Sequence, residues 1–348
     1  MAGKSVGVRR SLGKTATTLS GSTTPDDLAL QLKLMAAYAT DPGYRPEAQA
    51  QYDKYIKSWY PTLDSTPGGV ASRDIGRILR SGDTRWGIPG ESDLLDVDFS
   101  LIKTWMDENV QNGAIELTVV GDFEEDDLIR AISESLGALP RRPTQPYRPD
   151  ASLTALKFPA GQEEPITLTH AGDSETARLY VYWPAPDGTD SKLSRETGML
   201  ANLFELRLTE VLREDEGATY SPGVSRAGSR LYPEYGYIGA QLEVSPTRID
   251  EMADRIREVA AEFQRGNIDP DVFERAIKPT LENLETSLES NGLWMGVLSQ
   301  AQTDPESITR FRSRDAAYQN MTVEDMKPVA RLVFNASKAL EIQILPEK

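Results

Sequence analysis

Gly113-Ala114-Ile115-Glu116-Leu117-Thr118-Val119-Val120 alternates apolar and polar side chains as a half-buried strand does, and Asp122 to Leu136 then returns the period of a helix. Ala339-Leu340-Glu341-Ile342 repeats the strand pattern of Ala114-Ile115-Glu116-Leu117 at an offset of 225 residues. Two more anchors fall near that spacing. Pro46, in Tyr44-Arg45-Pro46-Glu47, is matched by Pro270, in Ile268-Asp269-Pro270-Asp271, at an offset of 224, and Leu28 is matched by Ile249 at 221. Each half therefore reads as strand, helix, proline-started helix, further helices and a closing strand, the pattern of a repeated α+β unit.

Working outward, Val6 to Leu19 predicts short strands around Gly13, and Thr24-Pro25-Asp26-Asp27 starts a helix with a cap, a first-turn proline and acids facing the dipole. Helices follow after Pro46, from Val70 to Leu79 and from Asp98 to Val110. The prolines between Pro140 and Pro149 mark a linker. The second half predicts strands at Leu153 to Phe158, Pro165 to Thr169 and Ala177 to Trp183, then a long helix from Ser191 to Asp215 with Leu200, Leu203, Phe204, Leu208, Val211 and Leu212 as its apolar stripe. Strands from Tyr220 to Ala227 and Tyr235 to Val244 precede helices Arg248 to Phe263, Asp269 to Glu289 and Thr322 to Phe334. The expected division is residues 1–148 and residues 149–348. At the offset of the repeat, counterparts of the strands and long helix between Leu153 and Asp215 fall upstream of Met1. The first domain is thus expected to be truncated at its start, and the chain to be a fragment or subunit of something longer.

The counts exclude several chemistries. The chain has 348 residues, 39% apolar and 26% charged, with no cysteine and one histidine, His170. Thiolate zinc sites, disulfides and thiol nucleophiles need sulfur, and the two-histidine zinc motifs need a second imidazole. A net charge of -16 argues against nucleic acid, which requires concentrated Lys and Arg. No apolar run is long enough to span a membrane, and the N-terminus lacks the apolar core of a secretory signal. The compartment, cytoplasmic or periplasmic, stays open.

Leu212-Arg213-Glu214-Asp215-Glu216-Gly217-Ala218-Thr219-Tyr220-Ser221 sits where the long helix gives way to a strand. Arg213 suits the C-terminal dipole, and Tyr220 suits a half-buried strand. A guanidinium and a phenol at this spacing can also converge on one carbonyl or oxyanion. His170 reads as a surface residue at a strand end, the acidic runs Glu124-Glu125-Asp126-Asp127 and Glu214-Asp215-Glu216 as solvated helix termini, and Tyr232, Tyr235 and Tyr237 either as core or as a peptide groove. No phosphate loop or dinucleotide fingerprint is present.

Leu212-Arg213-Glu214 followed by Gly217-Ala218-Thr219-Tyr220-Ser221 resembles the segment of the pitrilysin/insulinase-type zinc peptidases, the inverzincins, in which an arginine and a tyrosine of the non-catalytic half reach the substrate at the zinc. Ile115 to Phe123 with Leu136-Gly137-Ala138-Leu139-Pro140 is similar to the strand, Gly-Asp turn and helix that close a domain in this family, and Asn291-Gly292-Leu293-Trp294 resembles a late helical motif of its last domain. The resemblance implies two similar domains, each a mixed or antiparallel sheet packed by helices. Residues 1–148 would be a third domain missing its beginning and residues 149–348 a complete fourth one. It further implies a zinc-free C-terminal half that closes a peptide chamber, with Arg213 on the scissile carbonyl and Tyr220 on the same oxygen or the substrate backbone. The family's zinc is held by H-x-x-E-H in the N-terminal half. This chain has no such motif, so it should bind no zinc and be inactive alone. Its expected partners are the catalytic half, on the same polypeptide or a separate subunit, a peptide substrate, and a second copy through the truncated domain. A catalytically silent scaffold of the same fold and an unrelated α+β binding protein are the competing readings.

Overall fold

A computed structural model describes residues 3–110, 112–145, 148–216 and 221–347. The chain gathers into two units, neither continuous in sequence: Met1–Lys54, Leu95–Asp150 and Ser287–Phe311 form the first, and Tyr55–Leu94, Ala151–Thr286 and Arg312–Lys348 the second.

The first unit carries the antiparallel hairpin β1 (Arg9–Leu12) and β2 (Thr17–Ser20), closed where Gly13 N–H donates to the Ala16 carbonyl at 2.8 Å. Helices Leu28–Thr40, Phe99–Asn109 and Glu125–Ser133 follow. Asp98 caps the second of these by accepting the Ser100 N–H at 2.7 Å. The strand expected over Gly113 to Val120 does not form. A strand exists only by pairing, and here Glu116 accepts the Gln302 N–H at 2.9 Å while the Thr118 hydroxyl donates to the Leu298 carbonyl at 3.4 Å, contacts to a helix end and the turn after it instead of a ladder.

The second unit is built on a five-stranded mixed sheet: β3 (Ile166–His170), β4 (Ala177–Pro184), β5 (Gly223–Gly228), β6 (Gly236–Val244) and β7 (Leu340–Pro346), in the order β3-β7-β4-β6-β5. The β3–β7 pair is parallel and the others antiparallel. Because side chains alternate across a strand, β4 sends Leu179, Val181 and Trp183 to one face and Tyr180 and Tyr182 to the other, and both sets are buried. The first face is covered by helices Ser191–Glu216, Ile249–Gln264 and Val323–Val333, through Leu203, Phe204, Ile256, Phe263, Met326 and Val333 among others. The second face takes Val70, Ile75 and Leu79 from helix Pro67–Ile78 and the residue beyond it, against Tyr180, Tyr182, Leu340, Ile342 and Ile344. The whole is α+β, helices packed on a mixed sheet. The strand expected from Leu153 to Phe158 is instead a helical turn, Ala151–Thr154, and an irregular stretch, because Leu156 is drawn into a side cluster with Tyr232 and Tyr235.

The helical anchors of the sequence repeat are visible in the elements, whereas of its paired strand anchors only Leu340–Pro346 forms a strand. Helix Phe99–Asn109 and helix Val323–Val333 have equal length at an offset of 224, and the two proline-led turns Pro25–Asp27 and Pro246–Arg248 each feed a helix at an offset of 221. Helix Pro67–Ile78, capped by Thr66, corresponds to helix Asn291–Leu298, capped by Ser290, again at 224.

Candidate functional site

Helix Ser191–Glu216 is started by Asp190, whose Oδ1 accepts the N–H groups of Lys192 at 2.8 Å and Leu193 at 3.0 Å. Met199, Leu200, Leu203, Phe204, Leu208 and Leu212 hold it against the sheet, and Leu212 is fully buried. One residue on, a rotation of roughly 100° carries the side chain out of the core. Arg213 is accordingly exposed in the last turn, where a cation complements the carbonyl end of the helix. The helix feeds β5, an edge strand of the sheet, and the Val224 N–H donates to Glu205 Oε1 at 3.5 Å. Tyr220, in the connection between them, lies outside the described residues. The structure therefore locates one of the two expected contact residues, an exposed guanidinium whose N–H donors suit a carbonyl or oxyanion.

His170 is not the surface residue expected from sequence but fully buried. Its Nδ1 accepts the Gly172 N–H at 3.1 Å and its Nε2 lies 2.8 Å from the Thr176 carbonyl, which places the proton on Nε2 and makes the ring the strut of the β3–β4 turn. Among the described residues no group of three or more His, Cys, Asp or Glu side chains could hold a metal. With its only imidazole engaged at both nitrogens and no cysteine, the chain does not fit the family's zinc. The acidic run Glu124 to Asp127 is exposed at the start of helix Glu125–Ser133, as expected. Among the described residues no helix is long and apolar enough to cross a membrane.

The three tyrosines divide. Tyr232 and Tyr235 are core, the Tyr235 hydroxyl donating to the Leu79 carbonyl at 2.9 Å, while Tyr237 is half-buried beside Tyr182 with ring centroids 5.4 Å apart. It lines a groove of about 370 Å3 between helix Pro67–Ile78 and the sheet, with Arg178, Tyr180, Tyr182 and Gln241. Of the three tyrosines that the sequence offered either as core or as a peptide groove, only Tyr237 lines this groove; its β4 wall was signalled only by the alternation Arg178-Leu179-Tyr180-Val181-Tyr182.

A family model described as the peptidase M16 inactive domain matches residues 96–279, and the chain belongs to this family. It is an inactive domain of the pitrilysin-type peptidases, whose catalytic members depend on zinc and whose inactive domains typically pair with a catalytic half. The chloroplast stromal processing peptidase of Arabidopsis thaliana is 20% identical over 328 residues, taking in 80% of this chain and 26% of that protein. The Pisum sativum enzyme is also 20% identical, over 317 residues, with 77% and 25% covered. The chain thus spans about a quarter of the curated relatives it matches. Among solved structures, the ferredoxin protease FusC in complex with Arabidopsis ferredoxin aligns at a TM-score of 0.74 and 15% identity, over 98% of this chain and 37% of that one. The peptidase M16 inactive domain from Pseudomonas fluorescens aligns at 0.69 and 17%, over 95% and 78%. At these identities the likeness to solved structures is one of fold.

Proposed function

We propose that this chain is the C-terminal, zinc-free half of an M16 zinc peptidase, closing its peptide chamber and presenting Arg213 and Tyr220 to substrate bound at a zinc held by the other half. The observation that carries this reading is the inactive-domain match across residues 96–279. Arg213 supports it by its exposure at the end of a helix locked to the core by Leu212. The parent's domains are taken as residues 1–148 and residues 149–348, on the strength of the repeat. The partners are the catalytic half and a peptide. A protein substrate is in keeping with FusC, which is seen in complex with ferredoxin.

A surface for a partner is also proposed. Met326 and Val329 of helix Val323–Val333 are buried under the sheet of the second unit, whereas their repeat counterparts Ile102 and Trp105 are 38% and 49% exposed. An apolar helix face left open in this way supports association. This chain studied by itself should form a homodimer through that face; a monomeric mass by light scattering at high concentration counts against it.

Peptide hydrolysis with zinc tests the main reading, comparing this chain, the H-x-x-E-H half, and their mixture. Activity confined to the mixture, and lowered about 100-fold to 1000-fold by Arg213→Ala or Tyr220→Phe, is the expected result. A mixture indifferent to both substitutions would move the assignment to the scaffold.

A further inference from the structure

The groove of about 370 Å3 between helix Pro67–Ile78 and the sheet lies wholly within the second unit, and Arg213 is not among its lining residues. One wall is the small-residue side of the helix, with Gly68 and Ser72; the other is Arg178, Tyr180, Tyr182 and Tyr237. Three features show it to be more than a packing gap.

Tyr182 is 6% exposed, lines the groove, and its hydroxyl has no hydrogen-bond partner among the described residues. The hydroxyl is open to the groove and not sealed from it, so a hydrogen-bonding group of a ligand that enters can reach it. The ring lies over Gly239, where a Cβ would sit 2.1 Å from its Cδ1, so the glycine is what makes room for it.

Arg178 is set against the first turn of helix Pro67–Ile78: a Cβ on Gly68 would lie 3.0 Å from its Nη1. A helix N-terminus carries the positive end of the dipole, so a guanidinium there concentrates positive potential. Glu243, at 3.2 Å from Nη2, offsets part of it, and that carboxylate is largely exposed.

Arg178, Tyr180 and Tyr182 project to the same face of β4 at every second residue, which at about 3.3 Å per residue gives a wall roughly 13 Å long. That is the length of about four extended residues. We propose that this groove binds a short extended peptide segment, with a carboxylate at the Arg178 end and a backbone polar group on the Tyr182 hydroxyl. The site goes beyond the contacts assigned to Arg213 and Tyr220, and it is complete in this chain without a zinc-bearing partner.

The test is fluorescence anisotropy on the whole chain alone, with N-terminally fluorescein-labelled Gly-Ala-Val-Ala as the free carboxylate and as the C-terminal amide. The carboxylate form should bind saturably and about 10-fold more tightly than the amide, as expected of a charge-assisted contact. Arg178→Gln should erase that preference. Tyr182→Phe should weaken both peptides about 5-fold, the size of one modest hydrogen bond. Ser72→Leu, at an exposed helix position where leucine is a good helix former, should fill the groove and weaken both at least about 10-fold with the thermal midpoint unchanged. This last variant keeps the test valid if Arg178→Gln does not fold. Absence of saturable binding, equal affinity for acid and amide, or indifference to Ser72→Leu would each overturn the proposal. Since no catalytic half is present, such a failure leaves the reading of Arg213 untouched.

Discussion

Asp187 accepts the Thr189 N–H at 2.8 Å, the Thr189 hydroxyl at 2.6 Å and the Glu234 N–H at 2.6 Å. Burial pushes its carboxyl up, but these bonds together outweigh it and hold the group below its ordinary 3.8. A carboxylate whose pKa is depressed on folding adds stability that is fully present above the unfolded value and is lost as pH falls through the folded one. Between about pH 5 and pH 3, therefore, the wild type should lose more stability than Asp187→Asn, while at neutral pH the variant is the weaker of the two. Urea midpoints across that range would check it, and parallel curves would count against it. The bond to Glu234 also explains why that residue tolerates a left-handed φ of 63. At His170 the expected effect is thermal. His170→Ala removes a fully buried ring together with its hydrogen bonds to the Gly172 N–H and the Thr176 carbonyl, a loss of about 3 kcal/mol. At roughly 2–4 °C per kcal/mol for a domain of this size, the midpoint should fall by about 6–12 °C. The histidine was misjudged from sequence because its partners are backbone groups of a turn, which no residue pattern announces.

At the scale of elements, the pairing of β4 with β6 places Tyr182 directly opposite Gly239. A Cβ at Gly239 would overlap Tyr182, whose ring also has Tyr180 on one side with centroids 6.0 Å apart and Tyr237 edge-on at 5.4 Å. Gly239→Ala should cost about 1–3 kcal/mol by overpacking. The same change should be much milder in a Tyr182→Ala background, since the clash is then gone; additive costs in that cycle would refute the contact as the cause. The elements themselves were largely legible. Helix Ser191–Glu216, helix Ile249–Gln264 and strands β4, β6 and β7 are all periodic enough to read from the chain, because each buries a face whose spacing sequence records. Gly113 to Val120 carries an equally clean alternation and yet pairs with nothing in its unit. Alternation reports which side chains face inward, whereas a ladder requires neighbours from distant sequence. The Arg178 groove was hidden for a related reason. Its two walls are more than a hundred positions apart in the chain, and neither is distinctive alone.

For the whole molecule, the informative fact is which half supplies which helix. Helix Pro67–Ile78 belongs to the first half of the repeat but packs in the second unit, and its counterpart Asn291–Leu298 belongs to the second half but is counted in the first unit. The two exchanged helices sit at corresponding positions, so the exchange is a property of the repeat and not of one sequence. This limits how the proposed boundary at residues 148 and 149 can be used. A fragment of residues 149–348 retains every strand of the five-stranded sheet. It lacks Val70, Ile75 and Leu79, which cover Tyr180, Tyr182, Leu340, Ile342 and Ile344. Burying three such aliphatic side chains contributes about 1.5–3 kcal/mol each, or roughly 5–9 kcal/mol, comparable with the whole stability of an ordinary domain at about 5–15 kcal/mol. The fragment expressed alone should therefore bind a hydrophobic dye and aggregate, whereas the same fragment supplied with residues 55–94 should be monodisperse and melt cooperatively. Valine, isoleucine and leucine replaced together by serine in the supplied segment should abolish the rescue, because the sheet face needs apolar cover and not merely a tethered helix. A fragment of residues 149–348 that is monomeric and cooperative without the added segment would show that the exchanged helix is dispensable, and that sequence halves and folding units coincide after all.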